Sequence, residues 1–136
     1  MDLYKSMDIS ASGMKAETAR IRVISENIAN SESTATSPNE LPYRRKTITF
    51  RDTLDRKLGV DVVKADHVGY DPSQFETRYD PGNPGADAQG YVKLPNVNVL
   101  IENVDLKQAQ RSYQANLNVL SAAKSMISKT LDLLKS

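Results

Sequence analysis

The sequence predicts a mainly α-helical α+β protein with long N- and C-terminal helices, which pack as a coiled-coil-like pair, and with a small β-rich middle unit. All six prolines lie between Pro38 and Pro95, and five of the six glycines lie between Gly59 and Gly90. Because both residue types break helices, they mark an irregular middle. Apolar residues at helical spacing occupy both ends. We therefore expect helices within residues 1–30 and 97–136, with loops and strands in residues 31–96.

The N-terminal segment carries an apolar stripe with heptad spacing, which predicts a helix ending near Asn30. Ser10 and Glu17 interrupt the stripe. The stripe consists of Leu3, Met7, Met14, Ile21, Ile24 and Ile28, and a weaker second face contains Ile9, Ala16, Ala19 and Val23.

Short runs in the middle predict three strands, at residues 45–50, 60–68 and 74–79. Three short strands by themselves form a domain of marginal stability, so we expect them to pack against the helices. The segment 79–87 holds Asp and Asn beside Pro and Gly. A calcium loop is conceivable there, but a rigid surface turn stabilised by Asp and Asn side chains fits the spacing better.

The C-terminal segment has neither Gly nor Pro after residue 97 and predicts one helix of about 36 residues, about 54 Å long. Asn98 or Asn96 is the expected N-cap, and Glu102 lies near the positive end of the helix dipole. Two apolar sides lie about 140° apart on the helical wheel. The first side contains Leu106, Ala109, Tyr113, Leu117, Leu120, Ile127, Leu131 and Leu134, and the second contains Ala115, Val119, Ala122, Met126 and Leu133.

The length of this helix has a consequence for assembly. A compact domain of 136 residues is only about 30 Å across. The helix therefore projects from such a domain, and one partner helix cannot cover both of its apolar sides. We expect the missing cover to come from other chains.

The sequence contains no set of residues that makes a catalytic, cofactor or metal site. It has no cysteine, one histidine (His67) and no glycine-rich phosphate loop. The net charge of +1 excludes a strong attraction of the whole chain to nucleic acid or acidic membranes, and we interpret Arg44-Arg45-Lys46 as a solvated strand edge. No cleavable signal is recognisable at the N-terminus, and no apolar run approaches the roughly 20 residues of a membrane span.

Three stretches of the chain resemble the bacterial flagellar axial proteins, the rod and hook subunits. Residues 24–30, Ile-Ser-Glu-Asn-Ile-Ala-Asn, are similar to an asparagine-rich motif of this family. Residues 79–97 resemble the signature that joins the β unit to the last helix in proximal rod subunits, and residues 109–116 with 124–126 resemble the family's C-terminal helix. Residues 31–38 replace the Thr-Pro-Gly-Tyr turn of many axial proteins, and this departure favours the proximal rod over the hook or distal rod.

The resemblance implies a structural subunit of the flagellar basal-body rod, which transmits torque and encloses the export channel. Residues 1–30 and 97–136 would form an inner-tube domain that assembles into a helical tube. The implied partners are copies of the chain, other proximal and distal rod subunits, the rod–MS-ring junction protein and the flagellar type III export apparatus, with no nucleic acid and no membrane insertion. The implied location is the periplasmic rod, reached without a cleaved signal peptide.

We expect the apolar stripes to act in helix packing and assembly. The residues concerned are Leu3, Met7, Met14, Ile21, Ile24, Ile28, Leu106, Tyr113, Leu117, Val119, Leu120, Met126, Ile127 and Leu131. Asn27 and Asn116 either set the register between helices or act as caps or solvated residues. The expected linker signature contains Pro81, Pro84, Gly90, Tyr91 and Pro95. Two other classes stay open at this point: a cytoplasmic helical adaptor or export chaperone, and a small hydrolase.

Overall fold

The computed structural model describes residues 2–135 of the chain. Along the chain, two long helices precede and follow four strands, in the order α1 (Leu3–Ala29), β1 (Lys46–Asp55), β2 (Val60–Tyr70), β3 (Thr77–Tyr79), β4 (Tyr91–Lys93) and α2 (Val99–Lys135). The predicted fold class, a mainly helical α+β protein with a small β-rich middle, is confirmed. The division into an inner-tube domain and a middle unit stays a prediction, and its outer bounds, Met1 and Ser136, lie outside the described residues.

Both helices begin at a side chain that binds free backbone N–H groups. The Asp2 carboxylate accepts a hydrogen bond from the Tyr4 amide, 3.0 Å away. At α2, the Asn98 side chain accepts from the amides of Leu100 and Ile101 at 3.1 and 3.3 Å. Asn98 is therefore the N-cap, and it is one of the two residues, Asn98 or Asn96, that the sequence predicted for this position.

The strands form two separate two-stranded sheets, β1 with β2 and β3 with β4. The second pair is antiparallel, with Arg78 opposite Val92. The sequence pattern predicted β1, β2 and the region of β3. It did not predict β4, and it placed the end of β1 five residues early, at 50 instead of 55. A strand of three residues shows no measurable alternation, because one period of alternation already takes two residues.

The chain divides into two compact units. Unit 1 contains the described residues of 1–21, 48–67 and 107–136, which are the first part of α1, most of the β1–β2 hairpin and most of α2. Unit 2 contains residues 22–47 and 68–106, which include the end of α1, both short strands and the start of α2.

In unit 1 the two helices run antiparallel and pack through small residues. Gly13 of α1 lies against Asn116 of α2 so closely that a Cβ at Gly13 would stand 2.8 Å from the Asn116 Nδ2 atom. Two helical turns away, the Arg20 Nη2 atom donates to the Gln108 side-chain oxygen at 3.4 Å. The buried apolar residues of this unit include Ala16, Val62, Ala109 and Ala123. Small side chains at the contact let the helix axes approach.

Among residues 2–135, no helix is long and apolar enough to cross a membrane.

Candidate functional site

The two apolar sides of α2 differ in how much of their surface unit 1 covers. Leu117, Leu120 and Ile127 of the first side are half-buried. On the second side, Val119, Met126 and Leu133 are 49%, 56% and 77% exposed. These residues follow one another at steps of seven, so they form one band along the helix. We call this band, with Ala115 and Ala122, the uncovered side of α2.

The C-terminal end of α2 is exposed on both sides. A shallow groove there is lined by Leu3 and Tyr4 of α1 and by Ile127 and Leu131 of α2. α1 begins at Leu3, which lines this groove, and the groove reaches Leu131 of α2. Leu131 and Leu134, assigned to the first side, are 50% and 79% exposed.

The apolar stripe of α1 lies beside the helix contact and not at its centre. Met7 and Met14 are half-buried, whereas Ser10, which interrupts the stripe, is only 4% exposed. Gly13 occupies the contact because the helices approach closely there. Of the remaining residues of the α1 stripe, Ile24 is buried and Leu3, Ile21 and Ile28 are half-buried. On the first side of α2, Leu106 and Tyr113 are half-buried as well.

Unit 2 contains a partly buried polar cluster, which we call the polar junction: Asn27, Tyr43, Arg45, Lys46 and Glu102. Asn27 is 1% exposed. Its Oδ1 atom accepts from the Lys46 amide at 2.8 Å and from the Tyr43 hydroxyl at 2.9 Å. Its Nδ2 atom donates to the Lys46 carbonyl at 2.9 Å and to the Glu102 carboxylate at 3.2 Å. Asn27 is therefore neither a cap nor a solvated residue.

Glu102 is the most deeply buried charged side chain of the polar junction, with 0% exposure. The Arg45 guanidinium donates to one carboxylate oxygen of Glu102 and lies 3.5 Å from the Asp71 carboxylate. Burial opposes the charge of Arg45, but the hydrogen bond and negative charge of Glu102 outweigh it, so the pKa of Arg45 lies above its ordinary value. Hydrogen bonds from Ser73 hold the pKa of Asp71 below its ordinary value, with a further contribution from Arg45.

The basic run Arg44-Arg45-Lys46 is not the solvated strand edge that its sequence predicted. Arg44 donates to the carbonyls of residues 71 and 73, at 2.8 and 3.0 Å, and its guanidinium stands 4.2 Å from the centre of the Phe75 ring. Lys46 binds the Glu26 carboxylate at 2.7 Å. Each of the three charges has a partner within unit 2, so this run ties together the segments of that unit.

The position of Glu102 in the sequence predicted a role at the helix dipole but did not predict its burial. One signal was present: the carboxylate follows three consecutive apolar residues, 99–101. Asn116, the second asparagine expected to set register, contacts Gly13 in unit 1 and is half-buried. The register-setting roles of both asparagines stay predictions.

The segment between β3 and β4 is the rigid turn that sequence analysis favoured over a calcium loop. The Asp87 carboxylate accepts from the amides of Gln89 and Tyr91, both at 2.9 Å, and the Asn83 side chain accepts from the Gly85 amide at 2.9 Å. Gly90 closes the turn with a φ of +85°, which favours glycine. Of the linker signature, Gly90 and Pro95 are buried, and Pro81, Pro84 and Tyr91 are exposed.

The described residues contain no cluster of side chains that could hold a metal ion. No group of three or more His, Asp or Glu side chains within residues 2–135 is arranged to hold a metal ion. His67 is 65% exposed and lies 3.4 Å from the neighbouring Asp66.

Two family matches fall on the terminal segments. The flagella basal body rod protein family matches residues 7–35, and the C-terminal family of flagellar basal body rod FlgEFG proteins matches residues 88–133. Together these ranges include most of both helices. The chain therefore belongs to the class of flagellar rod proteins.

Relatives cover nearly the whole chain. The flagellar basal-body rod protein FlgC of Agrobacterium fabrum is 50% identical over 133 residues, which are 98% of this chain and 96% of the relative. The FlgC proteins of Salmonella typhimurium and Bacillus subtilis are 42% and 35% identical, each over 98% of this chain and over 98% and 99% of their own lengths. The chain therefore belongs to the FlgC family of flagellar basal-body rod proteins.

Membership confirms the resemblance recognised in the sequence. Proteins of this family are structural, and the chain is a structural subunit of the rod and not an enzyme. Membership also supports a place in the flagellar basal body and assembly with other components of the rod.

Proposed function

We propose that the chain builds the proximal rod by packing its uncovered side of α2 against helices of neighbouring subunits. The exposure of Val119, Met126 and Leu133 carries this proposal. Burial of apolar surface releases roughly 25 cal/mol per Å², and a band that recurs at every seventh residue fits the groove of another helix. The neighbours are copies of the chain, other proximal and distal rod subunits and the rod–MS-ring junction protein.

The interdigitated helices give the rod torsional stiffness and form the wall of the export channel. The surface that lines the export channel has to be polar, because the channel is filled with water. α2 offers a polar arc for this purpose, on which Gln110, Gln114 and Asn118 are exposed. In this arrangement the apolar residues face neighbouring subunits and the polar arc faces the water-filled lumen.

The subunit reaches the periplasm through the flagellar type III export apparatus, without a cleaved signal peptide. The small core of unit 1 supports this route, because its buried apolar residues include three alanines and a single valine. A chain with little buried surface of its own unfolds readily for export and becomes fully ordered on assembly.

A strain lacking the gene tests the proposal. We expect it to be non-motile and to yield no complete basal bodies, and we expect the intact gene to restore both. The chain should then copurify with basal bodies. A variant with a deletion near the N-terminus should stay in the cytoplasm. Normal motility of the deletion strain, or a chain found only in the cytoplasm of complemented cells, would contradict a rod function and favour the adaptor alternative.

A further inference from the structure

We infer that Asn27 is a positioning residue that makes the docking of the start of α2 conditional on the docking of residues 43–46. The inference rests on the polar junction, in which three segments far apart in sequence meet. Asn27 lies on α1, Glu102 lies on the first turns of α2, and Tyr43, Arg45 and Lys46 belong to the intervening segment.

The amide of Asn27 is matched to the backbone of Lys46. Its oxygen faces the Lys46 N–H and its nitrogen faces the Lys46 C=O, at 2.8 and 2.9 Å, so the side chain pairs with this residue as a neighbouring strand would. The remaining oxygen lone pair and N–H bind Tyr43 and Glu102. All four hydrogen-bonding positions of the amide are occupied. Aspartate lacks the two donors, and glutamine displaces the amide by one methylene.

Glu102 makes the arrangement conditional. Its carboxylate is completely buried, and its partners are Asn27 and Arg45. If α2 docked on α1 before residues 43–46 were in place, this carboxylate would be buried without a cation. An uncompensated buried charge of this kind shifts a folding equilibrium by about a hundredfold or more. The start of α2 is therefore stable against α1 only after Arg45 has arrived.

The consequence concerns the order in which the subunit is completed. Asn27 holds Lys46, and the adjacent Arg45 then neutralises Glu102. The two helices are joined at this end only when the segment between them is in place. A subunit whose middle has not folded keeps the start of α2 free.

The diagnostic variant is Asn27→Asp, which preserves size and removes both donors. The new carboxylate faces Glu102 on α2, and on the intervening segment it faces the Tyr43 hydroxyl and the backbone of Lys46, whose ammonium is bound to Glu26 of α1. Burial and the charge of Glu102 raise the pKa of an aspartate at this place. The Lys46 N–H and the Tyr43 hydroxyl, which bind one of its oxygens, oppose this, and so does Arg45 through Glu102. We expect the rise to prevail because the other oxygen faces two acceptors, the Lys46 carbonyl and the Glu102 carboxylate. A raised folded-state pKa means that the variant loses stability as pH rises through that pKa and regains it as pH falls.

Hydrogen exchange of the full-length variant, relative to the unmodified chain at each pH, tests the inference. At pH 7 we expect about a hundredfold faster exchange in residues 43–47 and 99–106, and the ratio should fall on acidification. Asn30→Asp is the matched control, because Asn30 directly follows α1 and its amide binds the Glu26 carbonyl of that helix. We expect this control to leave exchange in residues 99–106 unchanged.

A second variant separates positioning from a general loss of folding. Asn27→Asp combined with Glu102→Gln restores a donor opposite the new carboxylate, and we expect at least about tenfold slower exchange in residues 99–106 than in Asn27→Asp alone. If Asn27→Asp is unfolded at pH 7, both acid and Glu102→Gln should restore structure. A loss that is independent of pH and unaffected by Glu102→Gln would show a merely steric role and overturn the inference. Unchanged protection of residues 99–106 in Asn27→Asp would overturn it as well.

Discussion

Substitution of Val119 by aspartate tests whether the uncovered side of α2 is an interface. Val119 keeps 49% of its surface exposed in the isolated chain. Full burial of a valine is worth roughly 1.5–3 kcal/mol, so about 1 kcal/mol is left for a neighbouring subunit to gain. In the monomer the substitution changes an exposed position, and we expect an effect within about 0.5 kcal/mol on the free energy of unfolding.

The assembled rod responds differently to the same change. An unpaired carboxylate in an interface costs several kcal/mol, in addition to the lost apolar burial. A penalty of about 4 kcal/mol weakens each subunit contact by roughly a thousandfold, and every copy of the subunit carries it. We therefore expect Val119→Asp to be folded and exported but to form no basal bodies.

The neighbouring positions provide the controls. Asn118→Asp introduces the same charge one residue away, on the exposed polar arc, and retains the oxygen that accepts from Gln114 at 3.0 Å. We expect this variant to swim normally. Leu120→Asp places the charge on the half-buried first side and should destabilise the monomer as well as block assembly. Motility, recovery of basal bodies and the periplasmic amount of subunit are the measurements. A normally swimming Val119→Asp strain would refute the interface.

Two further predictions concern unit 2 and the turn glycines. Gly90→Ala should lower the free energy of unfolding by about 1–3 kcal/mol in urea titrations, because φ is +85° and the added Cβ would stand 2.8 Å from the Tyr79 ring. Gly59→Ala is the control. Its φ is also positive, +64°, but the added Cβ would meet nothing within 4 Å, so the loss should be only about 1 kcal/mol. An equal loss in both variants would contradict the steric argument. Asp71→Asn should reduce stability at pH 7 and flatten its decline in acid. The lowered pKa of Asp71 makes its carboxylate stabilising above the ordinary value of 3.8, and this stabilisation is lost as pH falls through the lowered pKa. Unfolding curves from pH 7 to pH 2 that match those of the unmodified chain would exclude this role.

Local features of the fold were predictable because their causes act over one or two helical turns. The spacing of apolar residues gave both helices, and α2 runs to Lys135, the last residue that the structure describes. Asn98 was recognisable as a cap because a cap binds amides only two and three residues ahead. The Asp and Asn residues before Gly90 indicated a rigid turn for the same reason.

The short strand β4 and the basic run were misjudged because their environment is not local. Three residues are too few for a periodic signal, and β4 exists because β3 lies beside it. The charges of Arg45 and Lys46 looked solvated because their partners Asp71, Glu102 and Glu26 are distant in sequence. The carbonyls of residues 71 and 73, which Arg44 binds, are equally distant.

The sequence by itself determined the family, the two helices and the presence of two apolar sides on α2. Only the tertiary structure decided which side is covered. Both sides are apolar on the helical wheel, and the choice depends on where Gly13 lets α1 approach α2. The tertiary structure also decided that Asn27 binds Lys46 and Glu102, which lie 19 and 75 positions away. Spacing reveals contacts between neighbours on one helix, whereas a buried hydrogen bond between distant segments depends on the complete packing of the chain.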